Sequence, residues 1–66
     1  MIDLSMNKEV LLSVVNTKLR NDFRSLEELC EEMSIDLNRL VERLNSIHYV
    51  YNPKTNQFIY EAPNGS

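Results

Sequence analysis

Ser25-Leu26-Glu27-Glu28-Leu29-Cys30-Glu31-Glu32-Met33, a break at Ser34-Ile35, and Asp36-Leu37-Asn38-Arg39-Leu40-Val41-Glu42-Arg43-Leu44 decide the fold, together with Tyr49-Val50-Tyr51 and Phe58-Ile59-Tyr60 around a polar loop. Ser25 and Glu28 have the spacing of a capping box, in which the hydroxyl and the carboxylate each accept a backbone N–H that the first helical turn leaves unpaired. Leu26, Leu29, Cys30 and Met33 then fall on one face, and four glutamates cover the other. The helix is expected to stop after about nine residues. Asp36 is a natural N-cap for the next helix, and Ile35 and Leu40 flank it at the spacing of a hydrophobic staple. Leu37, Leu40, Val41, Leu44 and Ile47 form its apolar stripe. Asn38, Arg39, Glu42, Arg43 and Asn45 are left for solvent or a partner.

Downstream, Asn52-Pro53-Lys54-Thr55-Asn56-Gln57 has turn chemistry: a proline early in the turn and asparagines that tolerate left-handed backbone. Pairing Tyr51 with Phe58 sets Val50 opposite Ile59 and Tyr49 opposite Tyr60. All four aromatics then share one face. A lone hairpin is unstable in water, so one face must dock on the helices. Upstream, Asn7 caps a first helix with Leu11, Val14, Val15 and Leu19 on its inner face; Leu12 falls off that stripe. The fold class is therefore α+β, a three-helix helix-turn-helix core with a C-terminal two-stranded β-hairpin. An alternative is a hairpin that pairs across a dimer. Residues 1–6 read as an N-terminal lead, in which Met6 could itself be a start. Residues 7–60 read as a single domain and 61–66, with Pro63 and Gly65, as a flexible tail.

Sixty-six residues allow one small domain of modest stability. A hydrophobic fraction of 42% supports one core, and a charged fraction of 26% argues against disorder. One cysteine excludes an intrachain disulfide and a cysteine-based zinc set. With no signal sequence, it points to a reducing cytoplasm. No apolar run is long enough to span a membrane. A net charge of −3 and a pI near 4.9 disfavour a broad electrostatic grip on phosphates or anionic lipid.

Four sets of residues are candidate sites. Asn38, Arg39 and Arg43 lie where a recognition helix reads base edges, with Lys54 in the loop as a phosphate contact. Against this, the helix is electrically neutral, and the preceding helix would bring four glutamates close to the phosphate backbone. Tyr49, Tyr51, Phe58 and Tyr60 could stack bases. Such sheets carry interleaved basic residues, absent here apart from Lys54, so core packing or a partner surface is the better reading. His48, the only histidine, is expected to cap the end of helix 3 rather than bind metal. Cys30, on an apolar stripe among glutamates that would raise its pKa, reads as a small buried hydrophobe rather than a nucleophile. No glycine-rich phosphate loop exists, since the only glycine is Gly65. No catalytic residue, cofactor or metal is expected, and the chain does not read as an enzyme.

Asn16-Thr17-Lys18-Leu19-Arg20, Ser25-Leu26-Glu27-Glu28-Leu29-Cys30 and Asn56-Gln57-Phe58 carry a resemblance to a family of very short bacterial single-domain proteins of unknown function. It extends over roughly residues 7–59, and its first segment is the more specific. The resemblance implies a bacterial cytosolic protein and brings no activity. It draws attention to Asn16 as a tie to the connection before helix 2, and to Arg20 as a partner for Asp22 or a carboxylate of helix 2. A structural role for that segment is favoured over a partner site. More distantly, the order of elements resembles the winged helix-turn-helix modules of bacterial transcription regulators. That is a match of shape, and fold does not determine function.

The expected function is a non-enzymatic protein-interaction module, monomeric or homodimeric, with Leu12 or the aromatics Tyr49, Tyr51, Phe58 and Tyr60 as its surface. A protein partner or a second copy is expected before DNA, and no membrane or metal. The alternative is a small DNA-binding regulator that uses helix 3 and the hairpin wing.

Overall fold

The computed structural model describes residues 2–62. It contains α1 (Lys8–Asn21), α2 (Leu26–Met33), α3 (Leu37–Asn45), β1 (Tyr49–Asn52) and β2 (Gln57–Tyr60). This is the expected α+β arrangement. The strands pair antiparallel with Tyr49 opposite Tyr60, Val50 opposite Ile59, Tyr51 opposite Phe58 and Asn52 opposite Gln57. Pro63 and Gly65, assigned to the tail, lie outside the described residues.

Each helix starts at the expected cap. Asn7 Oδ1 accepts from the N–H of Glu9 and Val10, Ser25 Oγ from Glu28, and Asp36 Oδ1 from Asn38 and Arg39. The capping box differs in one respect: the Glu28 carboxylate reaches past Ser25 and accepts the Arg24 N–H at 2.8 Å. It still satisfies a donor ahead of the helix, one residue earlier than the motif anticipates. α2 ends after eight residues. Ser34 turns left-handed at φ 57°, its N–H reaches Glu31 O, and the Ile35 N–H bonds Cys30 O at 2.8 Å. This is a Schellman closure, made with serine rather than glycine.

Leu11, Val15, Leu29, Leu40 and Leu44 are the largest fully buried side chains, and Leu19, Leu26, Cys30 and Phe58 complete the centre of the core. Full burial of one such side chain is worth roughly 1.5–3 kcal/mol. The stretch before α1, read from sequence as a lead, joins this core. Ile2 is only 6% exposed, and Leu4 and Met6 pack against the same core cluster. Leu12, offered as an exposed residue of helix 1, is half-buried against the core; the exposed apolar residue of α1 is Val10.

Candidate functional site

The hairpin is tied to α1 by side-chain amides. Asn16 sits in the middle of α1, one turn after Leu12 on the same side. Its Oδ1 accepts the Phe58 N–H at 2.7 Å, and its Nδ2 donates to the Phe58 carbonyl at 3.0 Å. The amide thereby does for β2 what a third strand would do. Asn56, left-handed at φ 55°, donates from Nδ2 to the Leu19 and Phe23 carbonyls, both at 2.9 Å. Its Oδ1 accepts the Tyr51 hydroxyl. Gln57 Nε2 donates to the Asn16 carbonyl at 3.0 Å. The open end of α1 and the loop before α2 are thus closed from the hairpin turn.

Asn16, expected to tie the connection before α2, bonds β2 instead, and Asn56 and Gln57, expected only to form the turn, reach α1 and the loop after it. Leu12 was the available signal: an apolar side chain off the main stripe, one turn from an amide, marks a second covered face. Arg20 does not take the role expected of it. It is exposed, and the ion pair at this helix end joins Lys18 to Asp22 at 3.7 Å.

The pairing of Asn16 with Phe58 also sets the polarity of the strand edges. Both main-chain groups of Phe58 point away from β1, toward Asn16. In an antiparallel pair the bonded and non-bonded positions alternate. Tyr51 opposite Phe58, and the Tyr49–Tyr60 pair two residues on, therefore also direct their N–H and C=O groups outward. The Glu61 N–H bonds the His48 carbonyl at 2.7 Å, which fits this alternation. β2 is blunted at Phe58. Among the described residues, no hydrogen bond from outside the hairpin reaches the main-chain groups of Tyr49 and Tyr51 on the β1 edge.

The two hairpin faces differ. Phe58 is 2% exposed, Tyr51 and Tyr49 pack against the core, and Tyr60 lies at the rim, 58% exposed. Tyr51 and Phe58 stack obliquely with centroids 5.6 Å apart, and Tyr60 meets Tyr49 edge to face at 5.7 Å. Of the aromatics named as a surface, Phe58 is core and Tyr60 is open. The opposite face shows Val50 and Ile59, the latter 40% exposed. His48 is exposed and left-handed at φ 68°, where it turns the chain from α3 into β1. The expected cap is made by Ser46, whose hydroxyl donates to the Arg43 carbonyl, while the His48 ring stands edge-on to Tyr60.

On α3, Asn38, Arg39 and Glu42 are exposed, and Lys54 is exposed in the hairpin turn. Arg43, expected to face solvent, is half-buried. Its Nη2 donates to the Met6 carbonyl at 3.4 Å, and its Nε is buried without a hydrogen-bond partner. Leu4 and Ser5 line an open groove with Arg39, Glu42 and Arg43. The segment before α1 thus lies along the side of α3 that carries the arginines. Asp3 in that segment has its carboxyl held below the usual range, chiefly by hydrogen bonds from Ser5 and to a smaller degree by Arg43.

Cys30 is buried, and its thiol is pushed up by that burial and then by the charges of Asp36 and Glu27. This suits a core residue and opposes thiolate chemistry. Among the described residues no group of three or more His, Cys, Asp or Glu side chains is arranged to hold a metal ion. Among the described residues, no helix is long and apolar enough to cross a membrane.

The chain belongs to the family described as Domain of unknown function (DUF4250), whose model matches residues 5–58. The matched span includes α1, α2, α3, β1 and the network from Asn16 to Phe58. No curated protein and no solved structure matches the chain.

Proposed function

We propose that this member of the family is a small non-enzymatic protein-interaction module of the bacterial cytoplasm, whose contact surface is the outward side of the hairpin. One observation carries this reading. The hairpin is fixed to α1 by Asn16, Asn56 and Gln57, yet it presents Val50 and Ile59 away from the core and leaves Tyr60 open at the rim. A firmly held apolar surface is what a protein partner recognises, because little ordering entropy remains to be lost on binding. The buried, deactivated Cys30 suits a reducing compartment and contributes no reactive group. A photo-crosslinking residue placed at Ile59, in cells making the chain at its natural level, tests the reading. A discrete protein adduct is expected at Ile59 and none at Glu31 on α2. Adducts at Glu31 with none at Ile59 would overturn it.

The second reading, a DNA-binding regulator of winged-helix type, is favoured by Asn38 and Arg39, which are exposed in the first turns of α3. It is opposed by the glutamates of α2 and by the engagement of Arg43 with the segment before α1. Salt-sensitive retardation of genomic DNA fragments, lost on Arg39→Ala with Arg43→Ala, would establish it. Absence of retardation at low salt would exclude it.

A further inference from the structure

We infer that the β1 edge is a self-association surface, on which a second copy of this chain docks its own β1 antiparallel to form a four-stranded sheet about a twofold axis at Val50. The inference rests on the reading of the hairpin as a contact surface and names the partner.

The two edges of the hairpin are unequal. β2 has its Phe58 groups capped by Asn16, whereas Tyr49 and Tyr51 of β1 direct uncapped N–H and C=O groups outward. Edges of monomeric sheets are ordinarily blunted by lysine, proline, a bulge or a covering element. Tyr49-Val50-Tyr51-Asn52 contains no lysine and no proline, and each of its residues is only half-buried.

Self-pairing follows from the alternation of the strand. With Val50 opposite Val50 of the second copy, Tyr49 of each copy meets Tyr51 of the other at a bonded position. About four main-chain hydrogen bonds then form by symmetry. The Val50–Ile59 pairs of the two copies become one apolar stripe. Charge fits the same arrangement. Antiparallel pairing brings the turn of one hairpin, with exposed Lys54, alongside the root of the other, with exposed Glu61. No charged side chain lies within either strand. The Asp36, Arg39, Glu42 and Arg43 charges of α3, the helix that leads into β1, sum to zero. The glutamates of α2 belong to a helix whose main packing partners are α1 and α3.

A charge introduced at the twofold position tests this without touching the core, because Val50 points away from it. In sedimentation equilibrium over a concentration series, the full chain is expected to approach twice its 7.7 kDa mass. Val50→Lys and Val50→Glu, each alone, should weaken dimerisation about tenfold or more, because like charges then face each other across the axis. An equimolar mixture of the two variants should recover the dimer. Circular dichroism of each variant should match the parent chain. A wild type that stays monomeric across the series overturns the inference, even if Ile59 crosslinks to some other protein. So does a dimer that both variants leave intact, or one that the mixture fails to restore.

Discussion

Replacing Asn16 by alanine removes both hydrogen bonds that hold Phe58, at 2.7 and 3.0 Å, while leaving the helix backbone free to form. Each bond contributes roughly 0.5–1.5 kcal/mol net, and the pair is only half-buried, so water can partly replace the lost amide. The expected loss is therefore about 2 kcal/mol. A chain of 66 residues has a total stability of about 3–10 kcal/mol, so the change removes a large share of it. In a domain of this size it lowers Tm by about 8–16 °C. Urea unfolding followed by tyrosine fluorescence and far-ultraviolet circular dichroism measures it, with an unchanged m-value expected. Asn16→Asp should also lose stability, because its carboxylate faces the Phe58 carbonyl with no donor between them. Exposed Thr17→Ala serves as the control and should stay within about 0.5 kcal/mol. An Asn16→Ala chain no less stable than Thr17→Ala, or an Asn16→Asp chain that matches the parent, would show that the amide does not hold Phe58.

At Asn56, glycine should be tolerated better than alanine by about 1 kcal/mol in the same assay, because only alanine adds the cost of a left-handed Cβ to the lost amide bonds. Cys30 should react with a thiol reagent far more slowly in the folded chain than in urea. Since its folded pKa is raised, its neutral form stabilises the fold fully below the unfolded thiol pKa. That contribution is lost as pH climbs through the folded value, so urea midpoints should fall in the alkaline range, and less so for Cys30→Ala. Ile2→Ala should cost about 1–3 kcal/mol by urea unfolding if the segment before α1 belongs to the core; an unchanged midpoint would return it to the status of a lead.

The features legible in the sequence are those set by local rules. The caps at Asn7, Ser25 and Asp36, the stripes of α1, α2 and α3, and the hairpin register depend on residues a few positions apart or on a two-residue alternation. The features that escaped are tertiary. Ile2 has no periodicity to announce it, since a short extended segment buries one side chain wherever the core leaves a gap. Arg43 has the spacing of a surface residue on α3, and only the path of the chain before α1 half-buries it. Asn16 bonds to Phe58 across 42 positions, a separation no helical pattern encodes. The amide-bearing segments Asn16-Thr17-Lys18-Leu19-Arg20 and Asn56-Gln57-Phe58, which carried the family resemblance, meet in this network. Their structural meaning depends on that meeting and not on either segment alone.

The Asn16 amide acts as a third strand for β2. Amide hydrogen exchange at Phe58 and Tyr60 tests it most directly, because both N–H groups point away from β1 and only one meets Asn16. Phe58 should be strongly protected and Tyr60 should exchange nearly freely, with the Phe58 protection lost in Asn16→Ala. Equal exchange at the two positions, or protection at Phe58 that survives Asn16→Ala, would mean that the amide does not hold β2.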